Sequence, residues 1–200
     1  MGITNEGFPI EREERAGCGF THVPNDTTNF NAATGTDTLS DIEKFAIFMR
    51  FLAPPTPSAT SPGGAVSIAA GRNTFISVGC QFCHTPTLAT GDTASPALRN
   101  QPVNLFSDLA LHHMGPGLAD GISQGVAGGD EFRTAPLWGL GQRIFFLHDG
   151  RTSNLTQAIL DHSSNGNGTF PASEANAVIS NFSALSASDQ QNLLNYLRSL

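Results

Sequence analysis

"GCQFCHTP" (residues 79–86) holds two of the three cysteines of the chain, with two residues between them and His84 directly after the second. Three chemistries use such a cluster. Covalent haem attachment needs two thiols that add across the two vinyl groups of the porphyrin, and a two-residue gap matches the separation of those groups. The histidine that follows then supplies an axial nitrogen to iron. A zinc site needs two further ligands, which Cys18 and His22 of "CGFTH" (residues 18–22) would supply as a Cys3His set. Disulfide exchange expects its C-x-x-C at a strand-to-helix junction of an α/β fold, and no alternating pattern for such strands is evident. Zinc leaves the position of His84 unexplained. Cys80, Cys83 and His84 are therefore read as the attachment site of one covalent haem c, with His84 on the iron.

Moving outward, the spacing predicts a helix over residues 65–78 that runs into Gly79, with Ile68, Phe75 and Ile76 inward. Upstream, "DTLSDIEKFAIFMRFLAPP" reads as a helix opened by a Ser40/Glu43 capping box and closed by Pro54 and Pro55. Its apolar stripe is Ile42, Phe45, Ala46, Met49 and Leu52, which makes Met49 a core residue. "APPTPSATSPGG" (residues 53–64) is a Pro/Ser linker. Downstream, "VNLFSDLALHH" is a short helical candidate. "SNLTQAILDH" is a helix capped by Ser153, with Leu155, Ile159 and His162 on one face. "SEANAVISNF" suggests another, and "SASDQQNLLNYLRSL" closes the chain with a cap at Ser186 or Ser188 and a stripe of Leu193, Leu194, Leu197 and Leu200. The expected class is mainly α, a cytochrome c-like haem domain with long loops. Residues 1–64 form an irregular arm, one helix and the linker; residues 65–200 form the haem-binding domain.

Composition fits that reading. Glycine (21) and proline (12) are abundant and charged residues are only 14%, a balance suited to loops wrapping a large apolar plate. The formal charge of −7 excludes a nucleic-acid partner, which needs a basic face. No stretch reaches the ~18–20 apolar residues of a membrane span, and "MGITNEGFPIEREER" lacks the apolar segment of a signal peptide. Arg133, Arg143 and Arg151 are candidate propionate partners. Residues 102–150 are expected to form much of the pocket wall, with Trp138 and Phe145 or Phe146 near the ring.

The sixth iron ligand decides between electron transfer, which favours six-coordinate iron, and peroxide chemistry, which favours an open position. Candidates are Met114, in "LALHHMGPGLADG", and His162, a histidine on an apolar helix face where a buried imidazole needs a partner. The residues alone leave both open. For a peroxidase, His112, His113 or His148 would serve as the acid–base group.

Several motifs occur in order: "CQFCH", "LFSDLALHHMGPGLADG", "FRTAPLWGLGQRIFFLHDGRTSNLTQAILDH" and "FSALSASDQQNLLNYLRSL". Together they resemble the di-haem oxidoreductase family, thiol-oxidoreductase-like proteins related to bacterial di-haem cytochrome c peroxidases. The resemblance covers nearly the whole chain. Family members carry a second C-x-x-C-H in an N-terminal domain, whereas this sequence has one, so it resembles their C-terminal haem domain. The resemblance implies an electron-accepting haem, working outside the cytoplasm in the periplasm or beyond the cell, with a redox protein or a second haem domain as partner. In the related peroxidases a distal Met follows the "HDG…L..A" segment; here that position is His162, which favours His162 over Met114. The family's usual "HGGEA" after it is interrupted by "SSNGNGTFPAS" (residues 163–173) before Glu174 and Ala175. The function expected is one-electron transfer through a single covalent haem. The alternatives are a haem peroxidase acting on hydrogen peroxide and a Cys/His zinc-binding structural domain. The unpaired Cys18 is the one feature that suggests an intermolecular disulfide; sequence does not fix the oligomeric state.

Overall fold

The computed structural model describes residues 4–10 and 23–200. Cys18 and His22, the extra ligands of the zinc reading, lie outside the described residues. The chain divides into two units, Met1–Pro54 and Pro55–Leu200.

In the first unit, strands β1 (Asn29–Asn31) and β2 (Thr36–Thr38) pair antiparallel. Helix α1 (Asp41–Arg50) begins where the capping box predicts: Ser40 Oγ accepts from the Glu43 N–H at 3.2 Å, and the Ser40 N–H donates back to Glu43 Oε2 at 3.0 Å. Asp26 accepts from the Ile42 N–H at 2.6 Å, satisfying another donor of the first turn. No side chain of α1 is buried. Met49, expected in the core, is half exposed, so helical periodicity here describes an apolar face and not a covered one.

The second unit is built on α2 (Gly64–Val78), whose partner is the last helix of the chain. Between them in sequence come β3 (Leu88–Ala89), β4 (Pro102–Val103), β5 (Leu111–His113) and β6 (Glu131–Arg133), then α3 (Leu155–Leu160) and α4 (Asn176–Ser183); the last helix is α5 (Ala187–Ser199). β3 pairs with β4 and β5 with β6, each as a separate antiparallel pair. α5 is capped by Ser186 Oγ, which accepts from the Asp189 N–H at 3.1 Å.

The core joins Phe75 and Val78 of α2 to Leu193, Tyr196 and Leu197 of α5, with Phe106, Leu140, Phe146, Leu155 and Phe182 around them. Phe75 stands edge-on to both Phe106 and Tyr196, with ring centroids 6.2 and 5.6 Å away. Gly71 lets the two helices close up, because a Cβ there would run into the Asn192 carbonyl. Ile76, expected inward, is turned to the surface.

The mainly α expectation is corrected by this architecture. Among the described residues helix accounts for 33%, 3-10 turns included, and extended backbone, isolated bridges included, for 12%; the regular elements are five α-helices and small two-stranded sheets. Strands of two or three residues are too short to display a period of two. The helix expected over "VNLFSDLALHH" is absent for a local reason. Phe106 and Leu109 take left-handed φ angles of 56° and 60°, which no continuing α-helix accommodates, and the segment ends as β5. α3 also differs at both ends: Asn154, not Ser153, caps it by accepting from the Gln157 N–H at 3.2 Å, and it stops at Leu160, before His162.

Candidate functional site

α2 ends at Gly79, in a left-handed conformation (φ 105°) that any side chain would strain; a Cβ would also meet the Phe82 ring at 2.9 Å. The chain then tightens into a 3-10 turn over Cys80–Phe82, and the His84 N–H returns to the Cys80 carbonyl at 2.9 Å. One turn thus gathers both thiols and the imidazole at the C-terminal end of a helix. Both thiols are free. Burial pushes Cys80 up to about 11, and burial with the nearby Asp108 and Glu174 charges also raises Cys83. Exchange chemistry needs a stabilised thiolate, usually at a helix N-terminus. This pair sits at the opposite pole and stays protonated at neutral pH.

His84 is half-buried, and burial lowers it to about 4, so the ring is neutral. Its Nδ1 lies 3.1 Å from the Phe106 carbonyl and donates to it, which leaves the lone pair on Nε2. Phe106 holds that carbonyl in place from a strained backbone anchored by its ring in the core. His162, in the turn after α3, repeats the arrangement: its Nδ1 donates to the Ala158 carbonyl at 2.7 Å, and burial lowers its pKa. Neither Nε2 has a hydrogen-bond partner among the described residues, and no sealed-off polar atom there is left unsatisfied, so both lone pairs face reachable space. The two rings are near enough to interact electrostatically, so that a charge on one would disfavour a charge on the other. Two neutral imidazoles, each turned by a main-chain acceptor to present Nε2, fit the axial donors of an iron porphyrin. The two thiols beside one of them fit its covalent anchorage.

Met114 follows β5 directly and is buried, with its N–H donating to the Asp130 carbonyl at 2.8 Å. Beside it, alternate faces of β5 carry two histidines. His113 Nδ1 meets the buried Asp130 carboxylate at 3.1 Å. His112 is held between two carboxylates: Nε2 lies 2.9 Å from Asp108 Oδ2 and Nδ1 lies 2.8 Å from Glu174 Oε2. Burial opposes charge on His112, but the hydrogen bonds to Glu174 and Asp108 outweigh it and raise its pKa, so each ring nitrogen donates. Its Nδ1 is 3.8 Å from Cys83 Sγ. Cys83, Asp108 and His112 place ligand atoms within 4.8 Å of one another, close enough for a metal ion, but with the same sulfur that a haem would use.

Residues 163–173 form a loop whose ends meet. The Ser173 N–H donates to the Ser164 carbonyl at 2.9 Å, and Asn176 Oδ1 accepts from Ser163 Oγ at 2.8 Å and the Ser164 N–H at 2.9 Å. Glu174 is thereby returned to His112. Sequence reading named His112 only as a possible acid–base group and missed its two carboxylate partners; Asp108 and His112, four apart but outside any helix, carry no pattern that pairs them. Among the other expected residues, Phe146 is in the core while Phe145 is largely exposed. The Trp138 indole donates to the Asn104 carbonyl, and His148 stacks on Phe132 at 4.5 Å. Arg151 is engaged by Asp149 at 2.7 Å and by the Gly117 carbonyl at 2.7 Å.

No helix among the described residues is long and apolar enough to cross a membrane. No curated protein sequence matches the chain. A solved structure of hydrazine synthase from Kuenenia stuttgartiensis, pressurised with 20 bar xenon, is similar in fold, with a TM-score of 0.50 and 21% identity. The match covers 82% of this chain and 57% of that one, so the chain spans a little over half the length of the solved relative. The sequence profile described as "Di-haem oxidoreductase, putative peroxidase" matches residues 1–200. With the paired cysteines, the adjacent His84 and the second outward-facing imidazole in view, the chain belongs to the di-haem oxidoreductase family.

Proposed function

We propose that this chain is a c-type electron-transfer module. Cys80 and Cys83 would hold one haem covalently, and His84 and His162 would be the ligands to its iron. The observation that carries the reading is the pair of matched imidazoles, each with Nδ1 on a main-chain carbonyl and an unpartnered Nε2. The haem supplies a one-electron ferric/ferrous couple. The residues of the chain do the rest. The Phe106 and Ala158 carbonyls fix the ring orientations and strengthen both nitrogen donors, and the Phe75–Phe106–Tyr196 cluster holds the proximal loop against displacement. Met114 is the alternative sixth ligand. The proposed setting is outside the cytoplasm, where bacteria form such thioethers, with a redox protein or a second haem domain as partner.

The peroxidase reading has one observation in its favour besides the family description. His113, oriented by buried Asp130, is built like a general base. Optical and electron-paramagnetic spectra of the matured protein separate the two. Electron transfer predicts low-spin iron in both redox states, unchanged by peroxide; high-spin ferric iron that responds to peroxide contradicts it. His162→Met is expected to raise the midpoint potential, because a thioether favours ferrous iron, and to introduce a sulfur-to-iron charge-transfer band. A spectral change in Met114→Ala with none in His162→Ala would transfer the assignment to Met114.

A further inference from the structure

A continuous line of hydrogen bonds joins the proximal cysteine to the segment bearing His162. The Asp108 N–H donates to the Cys83 carbonyl at 2.8 Å. Asp108 holds His112 Nε2, and His112 Nδ1 holds Glu174 Oε2. Glu174 is fixed in turn by the main chain of His113, which donates to Oε1 at 3.1 Å and accepts from the Glu174 N–H at 2.9 Å. The next residue back, Ser173, donates its Oγ to the His162 carbonyl at 2.5 Å and is buried. Each link is short, and the two at the centre join opposite charges, which are the stronger hydrogen bonds.

We infer that His112, clamped by Asp108 and Glu174, is a positioning residue that sets the distance between the His84 loop and the His162 turn and so keeps the sixth position closed. The inference rests on the axial-ligand reading proposed above. Neither α3 nor any described β-pairing spans the two segments. α3 ends before His162, and besides its own closing bonds the loop 163–173 reaches the segment after β5 through Ser164 Oγ, which accepts from the Gly117 N–H at 2.9 Å. Without the clamp, the His113–Glu174 main-chain bond and the Gly117–Ser164 bond still hold the His162 turn near β5, but the side-chain link from Glu174 through His112 to Asp108 and the Cys83 loop is gone. The loop 163–173 thus serves the clamp: it returns Glu174 to His112, whose Nδ1 lies 3.8 Å from Cys83 Sγ.

The test uses the matured, haem-bearing chain and reads cyanide affinity and spin state of the ferric protein, not turnover. His112→Phe and Glu174→Ala are expected to bind cyanide about tenfold more tightly than the wild type, the effect of losing one charge-assisted hydrogen bond, and to gain a high-spin fraction. Glu174→Gln keeps an acceptor for His112 and is expected to recover most of the closed state. Leu193→Ala, in the helix core, destabilises the unit and is expected to leave cyanide affinity unchanged. If His112→Phe does not mature, the two Glu174 variants decide. A low-spin wild type whose Glu174→Ala form stays closed, or whose Leu193→Ala form opens equally, overturns the clamp. A wild type without low-spin iron overturns the axial-ligand reading itself and the clamp with it.

Discussion

At the scale of single residues, spacing along the chain spoke for some side chains and was silent on others. That Cys80, Cys83 and His84 share one turn was legible, because a spacing of four residues fits a single turn, and the fold delivers it; their haem-binding role stands as proposed above. The orientation of each imidazole was not, because it depends on carbonyls of Phe106 and Ala158 that no side-chain pattern marks. Arg151 shows the same limit. It reads as a propionate partner, yet it grips Asp149 at 2.7 Å and the Gly117 carbonyl. The Arg151 hydrogen bond holds Asp149 down to about 2 from an ordinary 3.8. Because this pKa is lowered by folding, its contribution is present above the ordinary carboxylate range and is lost as pH falls through about 2. Both side chains are partly open to solvent, which screens the pair, so the effect is small. A carboxyl titration followed by NMR is expected to show Asp149 protonating well below the ordinary carboxylate range. A midpoint near the ordinary value would mean the pair does not persist.

At the scale of elements, periodicity located α1, α2, α4 and α5 but not the strands, and it overextended α3. α1 and α5 were legible from both cap and stripe; their N-caps, Ser40 and Ser186, are where the capping signals put them. The segment from 103 to 113 failed because its apolar residues fall at helical intervals while Phe106 and Leu109 adopt left-handed φ. Only the tertiary role of Phe106, ring in the core and carbonyl on His84, explains that backbone. Tertiary contact also reverses a propensity rule in α2. Gly→Ala within a helix ordinarily stabilises by about 1 kcal/mol. At Gly71 the new methyl would meet the Asn192 carbonyl and Tyr196 Cβ, so Gly71→Ala is expected to destabilise by about 1–3 kcal/mol through overpacking. A lowered denaturant midpoint at unchanged slope would bear this out; a raised midpoint would show that α2 and α5 sit further apart.

For the whole molecule, the expected class was wrong and the expected family was right, and the two outcomes have separate causes. Class was judged from periodicity, which short strands and ordered loops do not express. Family rested on motifs read in their order along the chain, which does not depend on periodicity. The chain folds like part of a longer solved relative, and its unit Pro55–Leu200 contains both imidazoles, both thiols and the clamp between them. All of it depends on a porphyrin held through two sulfurs. The most direct measurement is the intact mass of the matured polypeptide after extraction with acidified organic solvent. The account predicts a mass greater than that of the sequence by one haem, which disappears when Cys80 and Cys83 are both replaced by serine. A bare polypeptide mass, with the pigment gone into the solvent, would contradict it.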